Sequence, residues 1–379
     1  MNQKLVLIGG GHSHAIALKQ WGLNPLPDID LTLISDVKKT PYSGMLPGHV
    51  AGFYSYDQTH IDLGRLAKFA GAKLIIDRAI GLDVDNHKVI CEDHQLKFDY
   101  LSLDIGSTPQ TITIPGAKDY AIPAKPVPIF LDCWNKLKQE ALSHPEKSLS
   151  IVIVGGGAGG VELALNMQTC LQDGGQNNLA IHLVHRGKQL LTGHSDWVSN
   201  KLAKIIRQRN IRLHLEESVV EVLPDEVICK SGLSIKYTHV FWITQATAPN
   251  WIEESNLTTD EQGFILVTDT LQSISHPQVF AAGDIATMIN YKRPKAGVFA
   301  VRQGQPLVDN WRNILTGKSL QTYVPQEKYL ALIGTGDHQA IASWSDFGWR
   351  STLFWWLKDY IDRKFMNQFV DLSKTTVKN

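Results

Sequence analysis

The sequence is poor in cysteine, with four in 379 residues, at Cys91, Cys133, Cys170 and Cys229. No two stand at C-x-x-C or C-x-x-x-x-C spacing. That argues against a disulfide scaffold and a cysteine zinc site, and it fits a reducing compartment. Net charge is missing too. Lys plus Arg number 37 and Asp plus Glu number 37, so nothing draws the chain as a whole to nucleic acid. No apolar run approaches the roughly 20 residues that cross a bilayer. The first residues, MNQKLVLIGGG, enter a strand without the apolar region or cleavage site of a signal peptide. No His, Cys, Asp or Glu grouping has metal-ligand spacing, and no G-x-S-x-G nucleophile motif occurs. The expectation is a metal-free cytoplasmic protein of two or three domains.

Glycine is where the information lies. Ile151 to Val154 reads as a buried parallel strand, and Val161 to Met167 reads as a helix. Between them Gly155, Gly157 and Gly160 follow the G-x-G-x-x-G spacing, with Ala158 and Gly159 filling the turn. The first glycine permits the tight turn, the second lets a pyrophosphate approach, and the third lets helix and strand pack closely. The helix end then offers free N–H groups and a positive dipole to phosphate. An earlier copy follows the strand Lys4 to Ile8: Gly9, Gly10, Gly11, His12, Ser13. Its third fingerprint position is His14, which should push helix and strand apart or find a small neighbour.

The strand after each loop supplies the next signal. Asp30 to Ile34 ends at Ser35 and Asp36, where an acidic residue commonly holds a ribose 2′-OH. A solvated strand-end aspartate is the alternative. Ile181 to Val184 ends instead at His185 and Arg186. Imidazole and guanidinium suit a 2′-phosphate better than a bare hydroxyl, which favours NADPH over NADH. Arg186 as a solvated charge is the bland reading.

The rest of the chain punctuates into short elements. Thr40 to Gly52, which includes Pro47, shows no helical period and reads as an ordered loop over a ligand. His60 to Ala70 reads as an amphipathic helix. Ala79 lies near the nucleotide end of the strand Lys73 to Asp77. Tyr100 to Gly106 reads as a strand leading into Ser107, and Val279 to Asp284 is an apolar strand closed by Gly283 and Asp284. Lys295 to Leu315 reads as a helix that Pro306 breaks or kinks. Tyr329 to Thr335 and Gln339 to Trp344 flank the hairpin turn Gly336-Asp337. Last, Trp349, Leu353, Phe354, Trp356, Leu357, Tyr360, Ile361, Phe365 and Phe369 recur at helical spacing, with Arg350, Lys358, Arg363 and Lys364 between. Such a helix suits a membrane interface, or docking on the protein's own core or on a partner subunit.

The order of these parts resembles the two-dinucleotide-domain FAD/NAD(P)H reductases, of the pyridine nucleotide-disulfide oxidoreductase fold. The stretches GGGHSH, TPYSGMLPG, DIGSTP, KAGVFAVRQG and LKDYIDRKFMNQF are similar to the type II NADH dehydrogenase-like flavoproteins, known alone or fused ahead of selenophosphate synthetase. The resemblance implies an α/β fold with two Rossmann-like domains. FAD would occupy a discontinuous domain, residues 1–118 and 249–318. NAD(P)H would occupy an inserted domain, 119–248, and 319–379 would form a C-terminal hairpin and amphipathic segment. By that match Gly9 to Ser13, Ser35 or Asp36, Pro47, Ala79, Gly106, Ser107, Gly283, Asp284 and Ala296 bind FAD. Gly155, Gly157 to Gly160, His185 and Arg186 bind the nicotinamide dinucleotide. Glu162 and Lys295 form the catalytic set, Glu162 beside the nicotinamide and Lys295 opening the helix aimed at the flavin. A helix N-terminal charge favoured by the macrodipole is the plain reading of Glu162.

The resemblance also implies an activity, hydride transfer from NAD(P)H to flavin and then two electrons to a quinone. The quinone would be reached through the C-terminal helix, with peripheral membrane contact through 346–370. The disulfide reductases need a C-x-x-x-x-C and sulfide:quinone reductases need late cysteines, and neither exists here. Each cysteine reads as a small buried hydrophobe. Gln245 stands where the family often has glycine. Competing readings are a soluble reductase of an iron–sulfur partner, and an FAD/NAD(P)H-binding regulator linked to selenium metabolism. A homodimer stays open as an arrangement.

Overall fold

The computed structural model describes residues 2–109, 114–244 and 246–372. Gln245 lies outside them. Two five-stranded parallel sheets dominate. The first uses β1 (Gln3–Ile8), β2 (Ile29–Ser35), β3 (Lys73–Ile76) and β4 (Tyr100–Leu103), with α1 (His12–Leu23) and α2 (Leu63–Ala70) on its connections. Its fifth strand comes from far along the chain and is introduced below. The second uses β5 (Ala121–Pro123), β6 (Leu149–Val154), β7 (Leu179–His185), β8 (Arg212–Leu215) and β9 (His239–Trp242), in the order β5-β9-β6-β7-β8. Helices α3 (Val127–Ser143), α4 (Ala158–Asp173) and α5 (Asp196–Gln208) cross over it. The chain then returns to the first sheet with β10 (Val279–Ala281), giving the order β10-β4-β1-β2-β3. Helix α6 (Gly297–Leu315) follows.

Central strands buried on both faces must be apolar throughout. β1 and β6 obey this, with Leu5 to Ile8 and Ile151 to Val154 all buried. Caps set the helix limits. Asp62 accepts the Arg65 N–H at the start of α2, and Gly71, at φ +69°, closes it. That trims the expected helix, since His60–Asp62 pairs as a strand instead. Residues 40–52 are not a plain loop either. Ser43–Met45 forms a 3-10 turn and Leu46–Val50 a short helix, because Pro47 in the first turn needs no N–H partner. Pro306 does not break α6, which runs unbroken across it.

The C-terminal segment completes both cores. β11 (Ala331–Gly334), β12 (Ala340–Trp344) and β13 (Phe347–Ser351) form an antiparallel sheet, with Gly336 at φ +75° in the first turn. The third strand takes residues the helical period had claimed. Helix α7 (Thr352–Asn367) starts after Ser351, whose hydroxyl caps the Leu353 N–H. Ile333 and Ile341 pack into the core of the second sheet, while Met366 and Phe369 pack into the core of the first. The segment therefore joins the two halves of the molecule.

Candidate active site

Both glycine loops lie at the C-terminal ends of parallel strands, where open α/β sheets bind ligands. In the second loop a Cβ on Gly155 would strike the Ile243 carbonyl, and one on Gly160 would strike the Gly155 carbonyl. Above Gly157 there is open space. The first and third glycines thus set the backbone approach, and the second leaves room for a phosphate. Gly157 caps α4 with no side chain, so the helix-end amides stay available to an anion. His185 turns inward and accepts the Gly156 N–H at 3.2 Å through Nδ1. Burial lowers its pKa, so it is a neutral brace for the loop and not a cation for phosphate. Arg186 is exposed at the strand end.

The first loop solves the same problem differently. His14 is fully buried where glycine is usual. Its Nδ1 lies 2.7 Å from the Gly9 carbonyl and its Nε2 lies 2.8 Å from the Ser102 hydroxyl. The carbonyl can only accept, so Nδ1 carries the proton and Ser102 donates to Nε2. Ser102 is the small neighbour the imidazole needs. Close helix approach moves to α6, where a Cβ on Gly304 would crowd Ile16. Ser13 spends its hydroxyl on the Ala300 carbonyl at 2.8 Å. Gly10 sits against Leu63. Ser35 closes a local turn with Val37, and Asp36 is exposed beyond it.

A polar cluster lies where the strand ends of β4 and β10 come together. Lys125 Nζ donates to Asp284 Oδ2 and to Ser107 Oγ, both at 2.8 Å. Burial opposes the charge of Asp284, but Lys125, with Lys295 and the Ser107 hydroxyl, outweighs it and holds the carboxyl below the usual carboxylate range. Gly106, at φ +70°, has open space where a side chain would be. These features fit a dinucleotide with a polyol chain: a backbone approach, an ionised carboxylate and a hydroxyl. Gly283, at φ +71°, gives its N–H to Gln303 Oε1 at 2.7 Å. Ala296 is the N-cap of α6, which starts at Gly297, two residues later than expected. Pro47 is buried in its short helix, and Ala79 opens a neighbouring strand.

The two catalytic candidates part company. Lys295 is committed to the Ala286 carbonyl at 2.7 Å and the Thr287 hydroxyl at 2.9 Å, over the Phe264 ring. Burial lowers its pKa to about 8. Glu162, in the first turns of α4, accepts the Gly334 N–H at 2.8 Å. Burial raises its pKa to about 7, against the pull of Lys358. Lys358 on α7 donates to Asp362 Oδ2 at 2.7 Å and to the Gly44 carbonyl at 2.6 Å. Burial opposes its charge, but Asp362 and Glu162 outweigh it and the pKa rises. His12 completes this wall, edge-on to Tyr42 and Phe365, whose rings stack at 4.4 Å. Glycine spacing gave no hint of Lys125, Lys358 or Asp362. A lysine with an aspartate four residues on, inside an apolar stripe, was the available signal for the last two.

Helix α7 has two apolar sides. Trp355 packs on Phe53 and His338, and Phe365 on Tyr42. Leu353, Trp356, Tyr360 and Ile361 face solvent, Trp356 at 59 % and Tyr360 at 61 % exposure. The basic residues do not form the free positive face their spacing suggests. Arg350 pairs with Asp337, Lys358 with Asp362 and Arg363 with Asp359.

No thiol is poised for redox work among the described residues. Cys91 and Cys229 are buried, and burial pushes both thiols up to about 11. Cys170 is also buried, and Cys133 is partly exposed on α3. No described group of residues has the makings of a metal site, and no described helix is long and apolar enough to cross a membrane.

Two parallel-sheet dinucleotide cradles with a glutamate at the edge of the second are the plan of a two-dinucleotide-domain oxidoreductase. A family model described as pyridine nucleotide-disulphide oxidoreductase matches residues 3–304, and the chain belongs to that family. A probable NADH dehydrogenase of Dictyostelium discoideum is 23% identical over 337 residues, covering 83% of this chain and 74% of that protein. A type II NADH:quinone oxidoreductase of Staphylococcus haemolyticus is 20% identical over 338 residues, covering 84% of each. Among solved structures, NDH2 of Plasmodium falciparum in complex with NADH superposes with a TM-score of 0.82. It is 16% identical, and 98% of each chain is covered.

Proposed function

We propose that this protein is an FAD-dependent NAD(P)H dehydrogenase whose electrons leave to a quinone. In this reading residues 1–118 with 249–318 hold FAD, and 119–248 hold the nicotinamide dinucleotide. The segment 319–379 docks on the inner face of a membrane from the cytoplasm. Bound flavin would supply the two-electron chemistry, taking hydride and passing electrons on. The chain's own work is to bind, align and supply protons. Gly106, Ser107 and Asp284 hold the first dinucleotide, with Lys125 keeping Asp284 ionised. Gly155, Gly157 and Gly160 hold the second. Arg186 at the strand end favours NADPH over NADH.

The observation that carries the acceptor assignment is a buried Glu162 carboxyl lying in the field of the Lys358 ammonium. A two-electron reduction of a quinone consumes two protons. Glu162 holds a proton near neutrality, and Lys358 brings a cationic N–H donor to the same place. Lys358 also belongs to the helix whose other side bares Leu353, Trp356, Tyr360 and Ile361, so a lipophilic acceptor and a proton source share one element. The relatives named for quinone reduction support the same reading. Protein purified in mild detergent is expected to oxidise NADPH or NADH with a short-chain quinone. Flavin that is bound and reduced but not reoxidised by any quinone overturns the acceptor.

A further inference from the structure

β4 ends at Leu103, and the next residue is an aspartate. Asp104 is only 2 % exposed, and the start of α1 and the loop after β10 close on its carboxyl. Its Oδ2 accepts the backbone N–H of His14, in the first turn of α1, at 2.9 Å. A Cβ on Gly11 would strike the same carboxyl, and so would one on Gly283. Gly11 is the N-cap of α1 and has no side chain to offer the helix end. Asp104 therefore caps α1 from the neighbouring strand. The second loop has no such residue, and the two cradles are not equivalent: one offers a bare helix end to its diphosphate, the other a helix end already occupied by an acid.

The charges around Asp104 are unevenly shared. Asp284, on the late loop, has the Lys125 ammonium 2.8 Å away. His12 and His14 on α1 are neutral, since burial lowers both to about 4. From α6, Gln303 holds the Gly283 N–H beside Asp104. Asp104 is left with the helix-end amides, the Ser13 hydroxyl and the like charge of Asp284. Burial raises its pKa to about 7, with Asp284 adding to the rise against the helix-end amides.

We propose that FAD binding takes up one proton at Asp104, which caps α1 as a neutral acid while the diphosphate occupies the first cradle. This rests on the reading of that cradle as the FAD site. The neutral acid keeps the carbonyl oxygen that His14 needs and removes a negative charge from a place where two phosphates arrive. FAD then binds most tightly below the Asp104 pKa and loosens as pH rises through it.

Calorimetric titration of the apoprotein with FAD, in buffers of different ionisation enthalpy from about pH 6 to about pH 9, tests this. Uptake is expected to approach one proton per FAD at the alkaline end, with Kd rising by up to about tenfold per pH unit above neutrality. Asp104→Asn keeps a capping oxygen and should show a flatter Kd and lose that share of the uptake. Lys295 and Glu162 titrate in the same range in both proteins, so the difference belongs to Asp104. Should the variant not fold, uptake retained by a Lys295→Met, Glu162→Gln protein upholds the proposal, and uptake lost there overturns it. FAD binding without proton uptake, or uptake unchanged in Asp104→Asn, also overturns it. No FAD binding at any pH would instead remove the cofactor reading.

Discussion

Glu162 on α4 accepts the backbone N–H of Gly334 on β11 at 2.8 Å, which ties the second cradle directly to the C-terminal sheet. The carboxyl in that position is buried, half ionised near neutrality and within the field of Lys358. A helix-terminal charge serving only the macrodipole would face water and stay ionised.

Glu162→Gln should therefore keep FAD and nicotinamide binding while losing about 10²-fold in quinone turnover. Wild-type turnover should fall as pH rises through about 7, because the protonated form that supplies the proton is lost there. The variant should lack that limb. Steady-state rates across pH, with Kd values measured separately, check both halves.

Stability should carry the same signature. Glu162 and Asp104 are both raised to about 7 when folded, above their unfolded values. The folded state thus binds more protons than the unfolded one in that window. Their contribution is fully present below the unfolded values and is lost as pH climbs from about 4 to about 7. An Asp104→Asn, Glu162→Gln protein should show a flatter decline in urea midpoint over that range.

Lys358 and Asp362 are 17% and 6% exposed and pair at 2.7 Å. Lys358→Met strands a buried carboxylate, so it should cost about 3–5 kcal/mol in chemical denaturation. Removing both charges, as in Lys358→Met with Asp362→Leu, should cost less than the single change. Both proteins should lose quinone turnover.

Arg186 is exposed, and no described residue holds it in a hydrogen bond or ion pair. Arg186→Ala should raise KM for NADPH by about tenfold and leave KM for NADH nearly unchanged, since one charge-assisted bond to phosphate is lost. Equal effects on both nicotinamides would assign Arg186 to solvent.

The bared side of α7 makes a separate prediction. Trp356→Glu with Tyr360→Glu should abolish sedimentation with vesicles and spare turnover with a water-soluble quinone. Each large side chain contributes about 1.5–3 kcal/mol on burial. Salt should matter little, because three of the four basic residues are already paired.

What the sequence disclosed follows from how local each signal is. Gly155, Gly157 and Gly160 were legible because a tight turn and a helix–strand contact constrain residues five apart. The hairpin at Gly336 was legible for the same reason. His14 was legible as an exception, but not its remedy, because Ser102 and Gly304 arrive from other elements. His185 read as a phosphate ligand, since spacing says nothing of which way an imidazole turns. Lys295 read as catalytic, yet it clamps Ala286 and Thr287. Asp104, Lys125 and Lys358 act through partners 90, 159 and 314 residues away, and no periodicity encodes such pairs.

The central claim is that electrons pass from one dinucleotide to the other and on to a quinone with no thiol between. Anaerobic stopped-flow on the FAD-loaded protein measures this directly, mixing first with NADPH or NADH and then with a short-chain quinone. The account predicts rapid bleaching of the flavin, then rapid recovery on quinone addition, both unchanged in a protein with all four cysteines replaced by alanine. Failure to bleach with either nicotinamide, or recovery that vanishes with the cysteines, would contradict it.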